Sequence, residues 1–332
     1  MSQPMSRRDF LNRSVVSASA ISIAAAASTG EARAAEGEKP AAPAPTSGRQ
    51  PMPCGMLGKA RISRLMLGGN LVSGYMHCRD LHYVNDLFRA YVSEEKMMET
   101  MALAEACGIN TVFETGYRFV QTYNTKHGGH MQFIPHIEVS RDQTEKELKD
   151  HIKGQVDQGA IALYVWGVSG DQMMAAGMID KVGRAVELAK LHGLPVGVGS
   201  HSLLVPMACE KNKVPCDFYV KTLHNDTYPS ATPKELRKEF IWVTGGKGWY
   251  DNMWCINPEE TIEFMKTVEK PWVAFKVLAA GAYRPAEGFD FALKNGADFI
   301  AVGMFDFQVK EDANMAIRLV RQHEKRQRPW RA

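Results

Sequence analysis

The chain lacks most of the signatures that assign a function outright. Beyond the first 35 residues no apolar run is long enough to span a bilayer. Charge of one sign is missing too: 40 Lys+Arg stand against 37 Asp+Glu, a net +3 over 332 residues. The first 34 residues hold four arginines, one aspartate and one glutamate, so the remaining 298 carry only +1. That excludes the basic footprint of a nucleic-acid binder or of a protein drawn to an anionic membrane surface. The six cysteines (54, 78, 107, 209, 216 and 255) contain no C-x-x-C pair and no zinc-finger spacing. Cys107 falls in an apolar helical pattern and reads as a packed thiol. Cys209 and Cys216 are close enough in sequence for a disulfide, although a core of this size does not need one. What is present is ordinary globular composition, 45% hydrophobic and 23% charged.

The N-terminus is the most specific segment. Ser6-Arg7-Arg8-Asp9-Phe10-Leu11 precedes a mildly apolar Ala/Ser stretch, and Ala32-Arg33-Ala34 supplies the small residues of a cleavage site. This order resembles a twin-arginine export signal; the alternative is an uncleaved N-terminal helix. The resemblance implies a periplasmic or other extracytoplasmic protein, the twin-arginine export machinery as a partner, and no membrane span after cleavage. That pathway moves folded proteins, which fits a tightly held cofactor better than a freely exchanging one. Residues 1–34 are therefore expected to be the signal and 35–55 a flexible Pro/Ala/Gly linker. A folded domain is expected over 56–326, with a tail at 327–332. The basic stretch from Arg318 to Arg331 reads as a solvated helix end.

The body alternates strand-like and helix-like segments. Strand candidates are Ile62–Gly68, Ile109–Glu114, Gln132–Val139, Ile161–Trp166, Pro195–Gly199, Phe218–Thr222, Trp272–Ala279 and Phe299–Gly303. Helical periodicity marks Glu94–Cys107, Thr144–Gln158, Gln172–His192, Leu203–Lys211, Pro258–Glu269, Pro285–Asn295 and Lys310–Lys325. Met97, Met98, Met101, Met173, Met174 and Met178 sit at helical spacing and read as core. Near-continuous apolar strands separated by helices predict a parallel sheet covered by helices. Eight such units predict an α/β fold, the (β/α)8 barrel. An open doubly wound sheet is the alternative, but no G-x-G-x-x-G follows the first strand.

Two connections are long: Asn70–Ser93 after the first strand and Leu223–Asn257 after the sixth. Both leave the carboxyl ends of strands, where barrel active sites lie. The first carries Tyr75, His77, His82 and Tyr83; the second carries His224, Asp226, Tyr228, Trp242, Trp249, Tyr250 and Trp254. Such side chains either stack on a ligand or pack the loop against the barrel.

Met56-Leu57-Gly58-Lys59, followed by Ile62-Ser63-Arg64-Leu65-Met66-Leu67-Gly68-Gly69-Asn70, resembles the opening of an aldo-keto reductase. Ala104-Glu105-Ala106-Cys107-Gly108-Ile109-Asn110-Thr111 resembles that family's junction between its first helix and second strand. Ala162-Leu163-Tyr164-Val165-Trp166-Gly167-Val168 falls where the family has its fourth strand. The resemblance runs weakly over residues 56–325. It implies the same barrel, NADP as cofactor, and a tetrad of Asp, Tyr, Lys and His that protonates a carbonyl. Those positions hold Glu114, Tyr117, Glu138 and Trp166 here, and Tyr117 follows Glu114 more closely than the family's spacing has it. Glu138 reverses the charge that would lower the tyrosine's pKa. The family's cofactor-phosphate pattern is not visible after the seventh strand.

The strand ends carry another set. Glu114 ends the second strand; His136 and Glu138 lie two apart in the third and share a face. His201 follows the fifth strand, Lys221, His224 and Asp226 follow or end the sixth, and Lys276 lies in the seventh. Small residues close the last two strands, in Leu278–Ala282 and Val302–Phe305; they allow either tight turns or an anion at backbone N–H groups. The expectation is one pocket with Glu114, Glu138 and Lys276 as catalytic groups. Tyr117, Trp166, His224, Asp226 and Trp249 would bind substrate, and His136, Glu138, His201 and His224 would hold a divalent metal. At least three imidazole or carboxylate groups should then meet within about 5 Å. The alternative is a metal-free polar mouth. Lys276 should pair with Glu114 or Glu138, or else serve as a Schiff-base lysine if desolvated. The function expected is proton transfer on a small carbohydrate or polyol, of isomerase, epimerase or lyase type. The alternatives are an NADP-dependent oxidoreductase carrying its cofactor and a non-catalytic ligand-binding barrel.

Overall fold

The computed structural model describes residues 50–239 and 251–332. The expected signal segment, most of the linker, and Trp242, Trp249 and Tyr250 lie outside the described residues. The chain enters through an antiparallel hairpin, β1 (Cys54–Leu57) and β2 (Ala60–Ser63). Eight parallel strands follow: β3 (Leu65–Gly68), β4 (Thr111–Glu114), β5 (Gln132–Ile137), β6 (Leu163–Val165), β7 (Val196–Ser200), β8 (Phe218–Thr222), β9 (Trp272–Phe275) and β10 (Phe299–Val302). They close in order, with β10 pairing back to β3. This is the barrel that the strand count and the opening residues pointed to.

Alternation along each strand separates two layers. In β9, Val273 and Phe275 point into the barrel, while Trp272 and Ala274 face the helices. Phe113, Ile134, Tyr164, Phe218 and Phe299 fill the same interior, and Leu57 and Ile62 of the hairpin join them. The rings of Phe113 and Tyr164 stack at 4.9 Å, a contact worth about 1 kcal/mol beyond the area buried. The helices form the outer layer: α1 (Gly69–Val72), α2 (His82–Tyr91), α3 (Glu94–Ala106), α4 (Tyr117–Lys126), α5 (Glu145–Asp157), α6 (Gly167–Ala175), α7 (Ile179–Lys190), α8 (Leu204–Lys211), α9 (Pro258–Thr267), α10 (Pro285–Lys294) and α11 (Asp306–Gln322). Ser93 caps α3 by accepting from the Lys96 N–H, and Thr144 with Glu147 forms a capping box on α5. Among the described residues no helix is long and apolar enough to cross a membrane.

Several boundaries differ from the sequence expectation for physical reasons. The segment Gln172–His192 is two helices, because Gly177 adopts φ 68° after α6 and ends it. The first long connection is largely ordered, since α1 and α2 lie within it. The helix α4 escaped notice because only Val120 and Tyr123 on it are buried, too sparse a stripe to read. Met97, Met98, Met101 and Met173 are core as expected, with Met174 and Met178 packed against it. Cys209 and Cys216 are not joined; both are buried thiols.

The C-terminal segment corrects the reading of a solvated basic end. Asp298, fully buried, accepts from Arg328 at 2.7 Å, Arg326 at 3.0 Å, and the backbone N–H groups of Trp272 at 2.9 Å and Arg331 at 2.8 Å. Trp330 lies between the guanidinium groups of Arg64 and Arg326, at 4.4 and 3.5 Å from the ring centre. The tail is thus part of the barrel's packing, because one buried carboxylate satisfies four donors. Removing one member of such a cluster leaves buried charge uncompensated. Asp298→Ala is expected to cost about 3–5 kcal/mol in urea unfolding; a loss within experimental error would show that the tail adds nothing.

Candidate active site

The site starts from two breaks in strand alternation. Glu114 ends β4 directly after the inward Phe113, and strict alternation would send it to the helices. Lys276 follows the inward Phe275 of β9 and faces the same problem. Both residues instead adopt left-handed backbone, φ 83° for Glu114 and φ 56° for Lys276. Each such conformation costs of order 1–3 kcal/mol for a residue with a side chain, and such strain clusters at active sites. Both side chains border a cavity of about 260 Å³ at the carboxyl ends of β3, β4, β9 and β10. Gly69 lets the wall close: a Cβ there would stand 2.1 Å from the Thr115 carbonyl.

The two long loops complete the cavity. Lys276 Nζ lies 2.6 Å from His77 Nε2. His77 Nδ1 lies 2.9 Å from an Asp251 carboxylate oxygen. With Asp251 ionised, Nδ1 carries the proton and donates it, so Nε2 accepts from the Lys276 ammonium. Trp254 covers the group, its ring centre 4.0 Å from Lys276 Nζ and 5.0 Å from the His77 ring. Burial lowers the Lys276 pKa to about 8, against the opposing pull of Glu114 and Asp251. Burial first, then the Lys276 charge, lowers the His77 pKa, and the Asp251 hydrogen bond opposes this. Lys276 therefore sits near neutrality with an imidazole as its hydrogen-bond partner.

The expected constellation divides into separate groups. Of its members, Glu114 and Lys276 border the cavity. Lys276 does not pair with Glu114 or Glu138; among the described residues its polar partner is His77. Glu114 accepts from the Trp166 indole N–H at 2.9 Å. Trp166 stacks on His136 at 5.1 Å, and His136 Nε2 lies 3.6 Å from Glu138, which is exposed. Trp166 thus fixes the Glu114 carboxylate. Tyr117 packs against the core near Phe133, with ring centres 5.9 Å apart. His201 hydrogen-bonds Asp171 at 2.7 Å behind Trp254, and burial drives the Asp171 pKa up to about 8. Asp226 is held by Arg237 at 2.5 Å. Lys221 is fully buried and donates to Thr222 Oγ1 and O at 3.0 Å. Trp249 lies outside the described residues.

His224 has a structural task in this arrangement. Its Nδ1 donates to the Asn225 carbonyl at 2.8 Å, while Nε2 accepts the backbone N–H groups of Trp254 at 3.0 Å and Cys255 at 2.9 Å. Both nitrogens are spent on holding the strand of loop that carries Trp254. No three His, Cys, Asp or Glu side chains are placed to hold a metal ion among the described residues. His136, Glu138, His201 and His224 therefore do not share the single centre that their strand-end positions suggested. The residues not anticipated as reactive are His77 and Asp251; the available signal was their place in long loops leaving strand ends.

No family model matches the chain, and no curated protein matches it. Among solved structures it is similar to a protein assigned as an aldo-keto reductase from Pseudomonas aeruginosa. The TM-score is 0.54 at 14% identity, covering 80% of this chain and 95% of that one. It is also similar, with a TM-score of 0.41 and 12% identity, to a truncated 3-deoxy-D-arabino-heptulosonate 7-phosphate synthase from Thermotoga maritima, over 83% and 92% of the two chains. CdNal of Clostridium difficile, solved with mannosamine, gives a TM-score of 0.44 and 10% identity over 78% and 76%. At 14% identity the first likeness is one of fold, the barrel already described.

The role of His224 gives a pH dependence. Burial lowers its pKa from 6.5 to about 4, so the fold favours the neutral ring. That contribution is complete above pH 6.5 and is lost as the pH falls toward 4. A shift of this size is worth on the order of 3 kcal/mol. In denaturant unfolding followed between pH 7 and 4, His224→Asn is expected to flatten the acid-side loss of stability. An unchanged slope would remove His224 from the account.

Proposed function

We propose that this chain is an enzyme that moves a proton on a small hydroxylated carbonyl compound, a reaction of isomerase, epimerase or lyase type. The observation that carries the reading is that Glu114 and the Lys276–His77–Asp251 chain border one cavity, with both strand-end residues in strained backbone. A carboxylate and an ammonium facing one small volume suit proton abstraction beside a carbonyl. Glu114, held by Trp166, takes the proton from the carbon next to the carbonyl. The Lys276 ammonium hydrogen-bonds the carbonyl oxygen, where negative charge develops, and stabilises it in a site of low dielectric. His77 can pass a proton to and from Lys276 because Asp251 fixes its tautomer and orientation. Phe113, Phe275 and Trp254 give the cavity apolar walls on which the flat faces of a sugar can rest. Export of the folded protein remains part of the proposal on the strength of the N-terminal sequence alone: Arg7-Arg8, the Ala/Ser stretch and Ala32-Arg33-Ala34. Metal assistance is not part of the proposal: both nitrogens of His224 and Nδ1 of His201 hold hydrogen bonds, and among the described residues no three metal-ligating side chains converge.

The test is deuterium exchange at the carbon beside the carbonyl of glycolaldehyde or dihydroxyacetone, followed by NMR in heavy water. Glu114→Gln and Lys276→Met are each expected to slow exchange by at least about 10²-fold, the usual worth of a general acid or base. Exchange at the wild-type rate in both variants would contradict the proposal. Carbonyl-dependent oxidation of NADPH, with no exchange, would favour the oxidoreductase instead.

A further inference from the structure

The proton-transfer reading leaves one property of Lys276 unused. An ammonium that serves only as a hydrogen-bond donor is best kept charged, by a carboxylate in contact. Among the described residues Lys276 forms no ion pair; its neighbours are the His77 imidazole at 2.6 Å and the Trp254 face at 4.0 Å. Glu114 is occupied by Trp166, and Asp251 by His77. The left-handed backbone at Lys276 brings the amine to the cavity rather than to the helix layer. The amine therefore stands at an open cavity, beside a base and, among the described residues, without a counter-ion in contact.

We propose that Lys276 forms a covalent imine with an aldehyde or ketone in this cavity, using His77 as the proton carrier. The inference rests on the proton-transfer reading and names its substrate class: a free carbonyl compound. The step balances as follows. His77 Nε2 takes one proton from the Lys276 ammonium. The Nζ lone pair forms a C–N bond to the carbonyl carbon, and the C=O π pair moves to oxygen, which gains a proton from nitrogen. His77 returns its proton to the resulting hydroxyl, the C–O bond breaks, and water leaves. An ammonium and a carbonyl thus become an iminium and one water, with charge conserved and nothing oxidised or reduced. The iminium draws electrons more strongly than a hydrogen-bonded carbonyl, which eases proton loss to Glu114 at the adjacent carbon. Asp251 steadies the imidazolium formed part-way. The lowered pKa of Lys276, about 8, leaves roughly a tenth of the amine free at pH 7.

The experiment is reductive trapping. The whole protein is incubated with glycolaldehyde or pyruvate and sodium cyanoborohydride, which delivers hydride to the iminium carbon and fixes the adduct as a secondary amine. Peptide mapping of the wild-type protein then identifies the lysine modified. The expected result is one adduct per chain, at Lys276, formed at a rate that rises with pH through about 8. His77→Asn should slow trapping by about 10²-fold or more, and Lys276→Arg should abolish the single adduct while keeping a positive charge. Adducts spread over exposed lysines such as Lys146 and Lys153, or no adduct with either probe, would overturn the proposal. Deuterium exchange without an adduct removes the imine and leaves the proton-transfer reading standing. An adduct without exchange does the reverse.

Discussion

The site depends on the contact between the Lys276 amine and the His77 imidazole, made where water is largely excluded. A lysine in water is a solvated cation with a pKa near 10.4. Here part of the solvation is replaced by one imidazole and one indole face, which compensate less than water does. The remainder appears as the fall of its pKa to about 8. Everything around the pair serves that contact. Asp251 sets the tautomer of His77, Trp254 keeps solvent off the amine, and His224 spends both ring nitrogens on the backbone that positions Trp254. The left-handed backbone at Lys276 brings the amine there in the first place.

A second constraint comes from the barrel itself. Alternation commits the residue after an inward aromatic to the outer layer, so a strand end can supply a cavity residue only by breaking the pattern or by preceding the break. Glu114 and Lys276 both break it, and the two lie on strands separated by β3 and β10. Lys221 keeps to the pattern and is buried in the outer layer on β8, with Thr222 as its partner. The same amino acid, on two strands that are consecutive in the chain and paired in the barrel, thus has different surroundings: Lys276 adopts left-handed backbone and Lys221 does not.

Much of the fold was legible in the sequence because it is written locally. Eight apolar strands, seven of them followed by helical periodicity, specify a parallel barrel, and the opening residues supported the same architecture. The break of the long helical segment at Gly177 and the sparse face of α4 were harder, since one positive φ or two buried residues leave little trace in composition. In the site, Glu114 and Lys276 were legible as strand-end charges. Their partners were not: His77 lies 199 residues from Lys276 and 174 from Asp251, and only loop geometry brings them together. His136, Glu138, His201 and His224 share strand ends with the true cavity residues, so position alone could not separate them. What separates them is what each side chain touches: His136 stacks on Trp166, His201 bonds Asp171, and His224 accepts backbone N–H groups. Asp298 shows the same limit at the other end of the chain, where a basic tail that looks solvated is bound by a buried carboxylate.

The most direct test is a titration of the lysine side chains by NMR, with carbon-13 at the ε position. The account predicts one resonance with a midpoint near pH 8 and its disappearance in Lys276→Met. If every lysine titrates in the ordinary range, the amine is solvated, and the relay through His77 and Asp251 is not the centre of this site.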